Sequence, residues 1–195
     1  MGKARMEALT DGIFAFAMTL LVLNLEVPQE APSSSAVNAV QALISGLAPD
    51  FMHYVIAFAI LAGFWIVHHS FFEHIRVLDR KMMWLNIMSL LFVALLPFST
   101  DLADTYVDFP TSALLFEANI FIIGALFWVQ WNYACAGGRF LKPGVPNEHV
   151  ERTRKGMLIT PAISLLAMAV AFMGFTWSAA VFMLIPFAYA IALRK

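Results

Sequence analysis

The chain has little charge and a single cysteine. Lys, Arg, Asp and Glu together make up 13% of its 195 residues, against about a quarter in an average soluble domain. Cys135, the one cysteine, excludes an intrachain disulfide. Hydrophobic residues make up 61% of the chain, and its mean hydropathy is +0.78. These values exclude an ordinary soluble domain and indicate an all-α integral membrane protein.

The sequence also lacks the short motifs of several large functional classes. It contains no P-loop, HExxH, GxSxG or Rossmann fingerprint, so we expect no enzyme and no cofactor. A TVGYG-like filter is absent as well, which excludes carbonyl rings of that kind. Five histidines are candidate metal ligands, but His53 and His68 would lie about 22 Å apart along a helix. The spacing of His69 and Glu73 predicts a hydrogen-bonded pair rather than a metal site.

Six apolar stretches are long enough to cross a bilayer, which requires about 20 residues each. We find no internal repeat and predict one six-helix unit over residues 1–195. From Ala36, the connection after the first span has apolar spacing that suits a short helix lying at the outer surface. The predicted spans are Glu7–Val27, Asp50–His74, Met82–Asp101, Thr111–Ala134, Met157–Phe175 and Trp177–Leu193.

The distribution of charge predicts the orientation of these spans. All 12 Lys and Arg fall at the N-terminus, the second–third connection, the fourth–fifth connection or the C-terminus. The other connections carry acids, such as Glu30, Asp104 and Asp108. Because positive charge stays in the cytoplasm during insertion, both termini should be cytoplasmic. We therefore expect a multi-pass protein of the cell membrane, and no nucleic-acid partner.

A signal peptide is the alternative interpretation of the first span, with Lys3 and Arg5 as its basic head. Two acids, Glu7 and Asp11, separate that head from the apolar core, and no A-x-A cleavage site directly follows Leu25. We therefore interpret this segment as a permanent span.

Polar side chains of the first three spans should lie at one depth near the cytoplasmic face. An ionised group in lipid is costly and usually faces protein or water. Such residues are either exposed at the membrane surface or join the helices as polar contacts. We favour contacts that fix the rotation of helix 1. The residues are Arg5, Thr10, Asp11, His68, His69 and Asn86.

One stripe of helix 1 runs from its middle to its outer end. Phe16, Thr19, Leu20, Leu23 and Glu26 follow steps of three and four residues, so they share one face. Spacing alone favours ordinary packing or lipid contact for this stripe. Thr19 does not change this interpretation, because Thr is also common where membrane helices pack against each other.

Two stretches of helix 1, RMEALTD and TLLVLNLEVP, resemble the signature of the transmembrane protein 175 family of potassium channels. Members typically show R-x-x-x-F-S-D, followed one or two turns later by a Thr-Leu-Leu run. Here Leu9 replaces the Phe and Thr10 replaces the Ser. The run FWIVHHSFFEHI, which contains Trp65, His68 and His69, resembles the family's second helix. The third span, from Met83, is similar to the third helix of the family.

This resemblance implies a potassium channel whose pore is lined by helix 1 of each subunit. Family members with one six-helix unit per chain assemble as tetramers. The resemblance therefore implies a homotetramer that lies in the lipid bilayer and conducts monovalent cations. The fifth position after the motif Asp is the constriction, here Phe16 in place of the usual Ile or Leu. Thr19 lies near it, Leu20 and Leu23 form further apolar layers, and Glu26 lies at the outer mouth. Arg5, Thr10 and Asp11 would pair with each other and with His68 or His69 and Asn86, and Trp65 would belong to the same anchoring network.

Three other functions stay open at this point. A secondary transporter would bind substrate near the midplane, where Glu117 is the one charged candidate. A proton-conducting membrane protein is the second alternative. A membrane enzyme is the third, and the Asp11, His68 and His69 group is the single cluster that it could use.

Overall fold

The part of the chain that the structure describes is helical apart from short connections. The structure, a computed structural model, describes residues 2–25, 36–138, 140–175, 177–185 and 188, without the side chains of residues 36–46, 48 and 49. A 3₁₀ segment, Leu21–Asn24, continues the first helix, and another covers Ser178–Leu184. The α-helices are α1 (Lys3–Leu20), α2 (Ala36–His74), α3 (Arg80–Thr105), α4 (Pro110–Cys135), α5 (Asn147–Gly156) and α6 (Ile159–Phe172).

Five stretches within the described residues are long and apolar enough to cross a membrane, and they match the first five predicted spans. Of the sixth prediction, Trp177–Leu193, the structure describes residues 177–185 and 188, and the remainder lies outside the described residues. The five stretches are Lys3–Asn24, Asp50–His74, Arg80–Thr105, Pro110–Gly138 and Asn147–Phe172.

The second helix is longer than predicted. α2 runs without interruption over 39 residues, about 58 Å at 1.5 Å per residue, whereas the hydrocarbon core is about 30 Å thick. The prediction of a short separate helix from Ala36 is therefore wrong, because this segment continues directly into the second span. Apolar spacing predicts a helix but does not show where one helix ends and the next begins.

Polar side chains join α3 to α4 inside the bundle. Asn119 Nδ2 donates to Ser99 Oγ over 3.1 Å and to the carbonyl oxygen of Phe92 over 3.2 Å. One and a half turns before the end of α4, the side-chain amide of Gln130 donates to Ser89 Oγ. Asn119 and Gln130 are both buried, and these bonds satisfy their amide nitrogens, which would be costly to leave unpaired, while their side-chain oxygens have no hydrogen-bond partner among the described residues. The bonds hold α4 against α3.

A glycine allows α4 and α6 to approach each other closely. A Cβ atom placed on Gly124 would lie 2.9 Å from Pro161 Cδ and 3.0 Å from Pro161 Cγ. Because the ring of Pro161 is rigid, it cannot move aside for a methyl group. Small residues permit this kind of contact between membrane helices, so Gly124 sets the spacing of this pair.

The connections on the side that the charge bias assigns to the cytoplasm are bonded to each other. The backbone N–H of Arg76 donates to the Phe140 carbonyl over 2.7 Å, and that of Lys142 donates to the His74 carbonyl over 2.8 Å. Ile75 and Leu141 form an isolated antiparallel bridge between these bonds. The connection after α2 is therefore fixed to the connection between α4 and α5.

Candidate functional site

The first helix has one face buried within its own subunit. Met6, Thr10, Phe14, Ala17 and Leu21 are all buried and follow steps of three and four residues. This face packs against α3 and α2. The rotation of α1 in the subunit is therefore defined by its contacts.

The predicted pore residues lie outside this buried face. Phe16 is 65% exposed and Leu23 is 72% exposed. Thr19 is also exposed, and Leu20 is half-buried. Large apolar side chains of a membrane helix that no other part of its subunit covers must face lipid, another subunit or a pore.

The hydroxyl group of Thr19 is bonded to its own helix. Thr19 Oγ1 donates to the carbonyl oxygen of Phe16 over 2.8 Å. Because the hydroxyl proton is used in this bond, the oxygen presents its lone pairs and the side chain presents its methyl group. Thr19 can therefore offer an acceptor to a cation, but not a donor to an anion.

A buried chain of hydrogen bonds links α1, α3 and α2 near those ends of the first three spans that the charge bias assigns to the cytoplasm. Asn86 Nδ2 donates to Thr10 Oγ1 over 3.1 Å, and Asn86 Oδ1 lies 2.8 Å from His68 Nε2. A carboxamide oxygen accepts, so His68 donates from Nε2. The imidazole lies among the rings of Phe14, Phe71, Phe72 and Phe127. Three of the predicted network residues, Thr10, Asn86 and His68, are thus joined by consecutive hydrogen bonds.

The motif aspartate pairs with a different partner from those that charge favours. Trp65 Nε1 donates to Asp11 Oδ1 over 2.9 Å, and the Trp65 ring stacks on His69 at 5.8 Å between centroids. Within the described residues, Arg5 forms no ion pair or side-chain hydrogen bond, and Asp11 bonds to no histidine. The predicted pairing of Arg5 with Asp11 is therefore not formed in the single subunit, where Arg5 is exposed.

His69 also approaches an acidic side chain of its own helix. His69 Nε2 is 3.6 Å from Glu73 Oε1, one turn along α2, and the described residues contain no group of three or more potential metal ligands. Glu26, the predicted outer-mouth residue, lies outside the described residues.

The C-terminal end of the first span has an attachment that the sequence analysis missed. Asn24 Nδ2 donates to the carbonyl oxygen of Pro97 over 3.0 Å. Asn24 ends the 3₁₀ segment that follows α1, and Pro97 lies within α3. A single Asn after an apolar run gives little signal, although Asn at a membrane helix end commonly bonds to a neighbouring helix. Together with Thr10 at the other end, Asn24 fixes α1 to α3 at two depths.

Glu117 is buried in α4 and remote from the exposed side of α1. It faces Ser178, which is also buried. Neither its carboxylate oxygens nor Ser178 Oγ has a hydrogen bond of normal geometry within the described residues. α4 has its main contacts with α3 and α6, so Glu117 belongs to the interior of the subunit.

Comparisons with known proteins agree on one family. The family model described as endosomal/lysosomal potassium channel TMEM175 matches residues 5–97. A potassium channel of Chamaesiphon minutus is 30% identical over 190 residues, which cover 96% of this chain and 93% of the relative. The chain belongs to the TMEM175 family. A potassium channel of Streptomyces collinus is 27% identical over 156 residues, or 78% of this chain and 74% of the relative.

A solved structure extends the TMEM175 likeness to the whole described fold. It is the crystal structure of a lysosomal potassium-selective channel TMEM175 homolog from Chamaesiphon minutus, with a TM-score of 0.82 and 25% identity over 99% of this chain and 98% of that one. The rat endosomal/lysosomal proton channel TMEM175 is 31% identical over 98% of this chain but only 41% of its own length. The TMEM175 family consists of ion channels and not enzymes, which confirms the prediction from the sequence that this chain is not an enzyme.

Proposed function

We propose that this chain is the subunit of a potassium-permeable channel and that α1 of each copy lines the pore. Two bacterial relatives that cover most of this chain are named potassium channels. The described residues include five helices that are long and apolar enough to cross a membrane, and the fold is similar to that of a potassium-selective homolog. These relationships support potassium as the permeant ion.

The contrast between a buried and an exposed face of α1 is the main support for placing the pore along this helix. Its buried face is occupied by contacts with α2 and α3, whereas the described residues leave most of the Phe16 and Leu23 side chains exposed. One helix cannot enclose a path for an ion, so several copies must bring this uncovered side together. A homotetramer, with both termini in the cytoplasm of a cell-membrane protein, is the assembly that we propose.

The chemistry of this side is suited to an apolar constriction. A ring of Phe16 side chains offers a potassium ion no oxygen in place of its hydration shell, so a narrow ring would block conduction by excluding water. The next turn contains Thr19, whose oxygen lone pairs can contact a partly hydrated cation. Potassium loses water more easily than sodium, so this arrangement favours potassium without a cage of carbonyl groups.

Proton conduction is the second candidate function. It rests on the names of the animal relatives, which are called proton channels. The match with this chain covers 41% of the length of the rat and mouse proteins. A transporter is the third possibility, for which the buried Glu117 is the one supporting feature.

Planar-bilayer recording of the purified, reconstituted protein separates these functions. We expect discrete unitary currents that reverse near the potassium equilibrium potential when potassium and sodium gradients oppose each other. Reversal that follows a proton gradient instead would identify a proton channel. Saturable flux without unitary currents would identify a transporter and contradict the proposal.

A further inference from the structure

A cavity of about 360 Å³ lies between the two connections that are bonded to each other on the cytoplasmic side. Its walls include Arg76, which lies two residues after the end of α2. Lys142, residues 143–145, and Asn147 and Val150 of α5 also line it. This volume falls within the range of pockets that hold small molecules, about 300–1,000 Å³.

The side chains that line this cavity make it positively charged. Arg76 and Lys142 are both exposed, and within the described residues neither forms an ion pair or a side-chain hydrogen bond. Glu148 is adjacent in sequence but does not line the cavity. Asp79 accepts hydrogen bonds from Met82 N and Tyr133 Oη. Two cations therefore face the open space without a counter-charge of their own.

Backbone groups add to this character. α5 begins at Asn147, and no side chain caps its first turn. The free N–H groups of a first turn point out of the helix N-terminus and favour an anion there. The walls are held in place by the bonds from Arg76 N to the Phe140 carbonyl and from Lys142 N to the His74 carbonyl. The cavity is thus formed before any ligand binds.

We propose that this cavity binds a phosphate-bearing anion at the cytoplasmic membrane surface. Arg and Lys bind phosphate through charge-assisted hydrogen bonds, Arg in a bidentate manner. Basic pockets at the cytoplasmic ends of membrane helices hold the head groups of anionic lipids. The phosphate could belong to such a head group or to a free anion in solution. Binding would tie the connection after α2 to α5.

Native mass spectrometry of the full chain in mild detergent tests this site. The protein is incubated with equal amounts of phosphatidylglycerol and phosphatidylcholine, and the lipid retained per subunit is counted. We expect wild type to retain phosphatidylglycerol preferentially. The Arg76→Gln/Lys142→Gln double variant should bind it about 30-fold more weakly, or about 2 kcal/mol at about 1 kcal/mol per basic residue. Both side chains are exposed, so their loss leaves no buried group unpaired.

Lys155→Gln is the matched control, because Lys155 is an exposed cation at the end of the same α5 and does not line the cavity. It should bind phosphatidylglycerol like wild type. Titration with inorganic phosphate then identifies the source. Displacement of the lipid shows that the phosphate group is sufficient, whereas retention shows that the acyl chains contribute. Equal phosphatidylglycerol binding by wild type, the double variant and Lys155→Gln, or an equal loss in both variants, would overturn the proposal.

Discussion

Thr19 Oγ1 donates a 2.8 Å hydrogen bond to the carbonyl oxygen of Phe16, one turn earlier in α1. This bond turns the lone pairs of the hydroxyl outward on the side of the helix that the subunit leaves uncovered. It joins the two residues that the proposed pore depends on most, one as an apolar barrier and the other as a source of oxygen.

The first prediction concerns that oxygen. Thr19→Val keeps the shape of the side chain but removes the hydroxyl, so we expect potassium conductance to fall several-fold, while stability changes by less than about 0.5 kcal/mol because Thr19 is exposed. Thr19→Ser keeps the oxygen and should conduct nearly as wild type does. Unitary conductance in symmetric potassium measures both. A valine variant that conducts normally would remove Thr19 from the ion path.

A second prediction tests the buried link between three helices. Asn86→Ala leaves the Nε2–H of His68 and the hydroxyl of Thr10 without their partner, which should cost about 1–3 kcal/mol. Thermal unfolding in detergent should show this loss. Asn132→Ala is the control, because among the described residues the Asn132 side chain bonds to the Trp128 carbonyl of its own helix and to no other helix. Equal melting temperatures for the two variants would show that the link does not stabilise the fold.

The third prediction separates a hydrogen bond from an ion pair at the motif aspartate. Asp11→Asn keeps an oxygen that can accept from Trp65 Nε1, so we expect near-normal assembly and current. Asp11→Ala and Trp65→Phe each remove the bond and should reduce the recovery of assembled channel by a similar factor. Size-exclusion chromatography in mild detergent measures that recovery. If Asp11→Asn is as damaging as Asp11→Ala, the negative charge is essential and a partner such as Arg5 must be supplied by another subunit.

The sequence predicts the helices and the depth of their polar groups well. The length of the apolar stretches locates the first five spans, because a helix needs a minimum number of apolar residues to cross a bilayer and such a stretch is visible in the sequence. Thr10, His68 and Asn86 were expected at one depth near the cytoplasmic face, and they are in contact. Depth follows from position along each span, so it requires no knowledge of how the helices rotate.

Partners across helices are harder to predict, because they depend on that rotation. Charge favours Arg5 as the partner of Asp11, yet the neighbouring helix presents Trp65. Asn24 bonds to a backbone carbonyl, and every residue has such a group, so no sequence pattern marks the acceptor. Gln130 meets Ser89 for a similar reason: each is an isolated polar residue in an apolar run.

The central claim is that Phe16 forms the narrowest layer of the pore. Phe16→Ala should widen and hydrate this layer, so we expect unitary conductance to rise and the discrimination between potassium and sodium to weaken. Phe98→Ala is the matched control, because Phe98 is 61% exposed on α3, close to the 65% of Phe16, and is not in α1.

Bilayer recording under bi-ionic potassium and sodium conditions tests this claim most directly. The account predicts a reversal potential that moves toward zero in Phe16→Ala and stays at the wild-type value in Phe98→Ala. An unchanged reversal potential and an unchanged conductance in Phe16→Ala would contradict the account and place the ion path elsewhere.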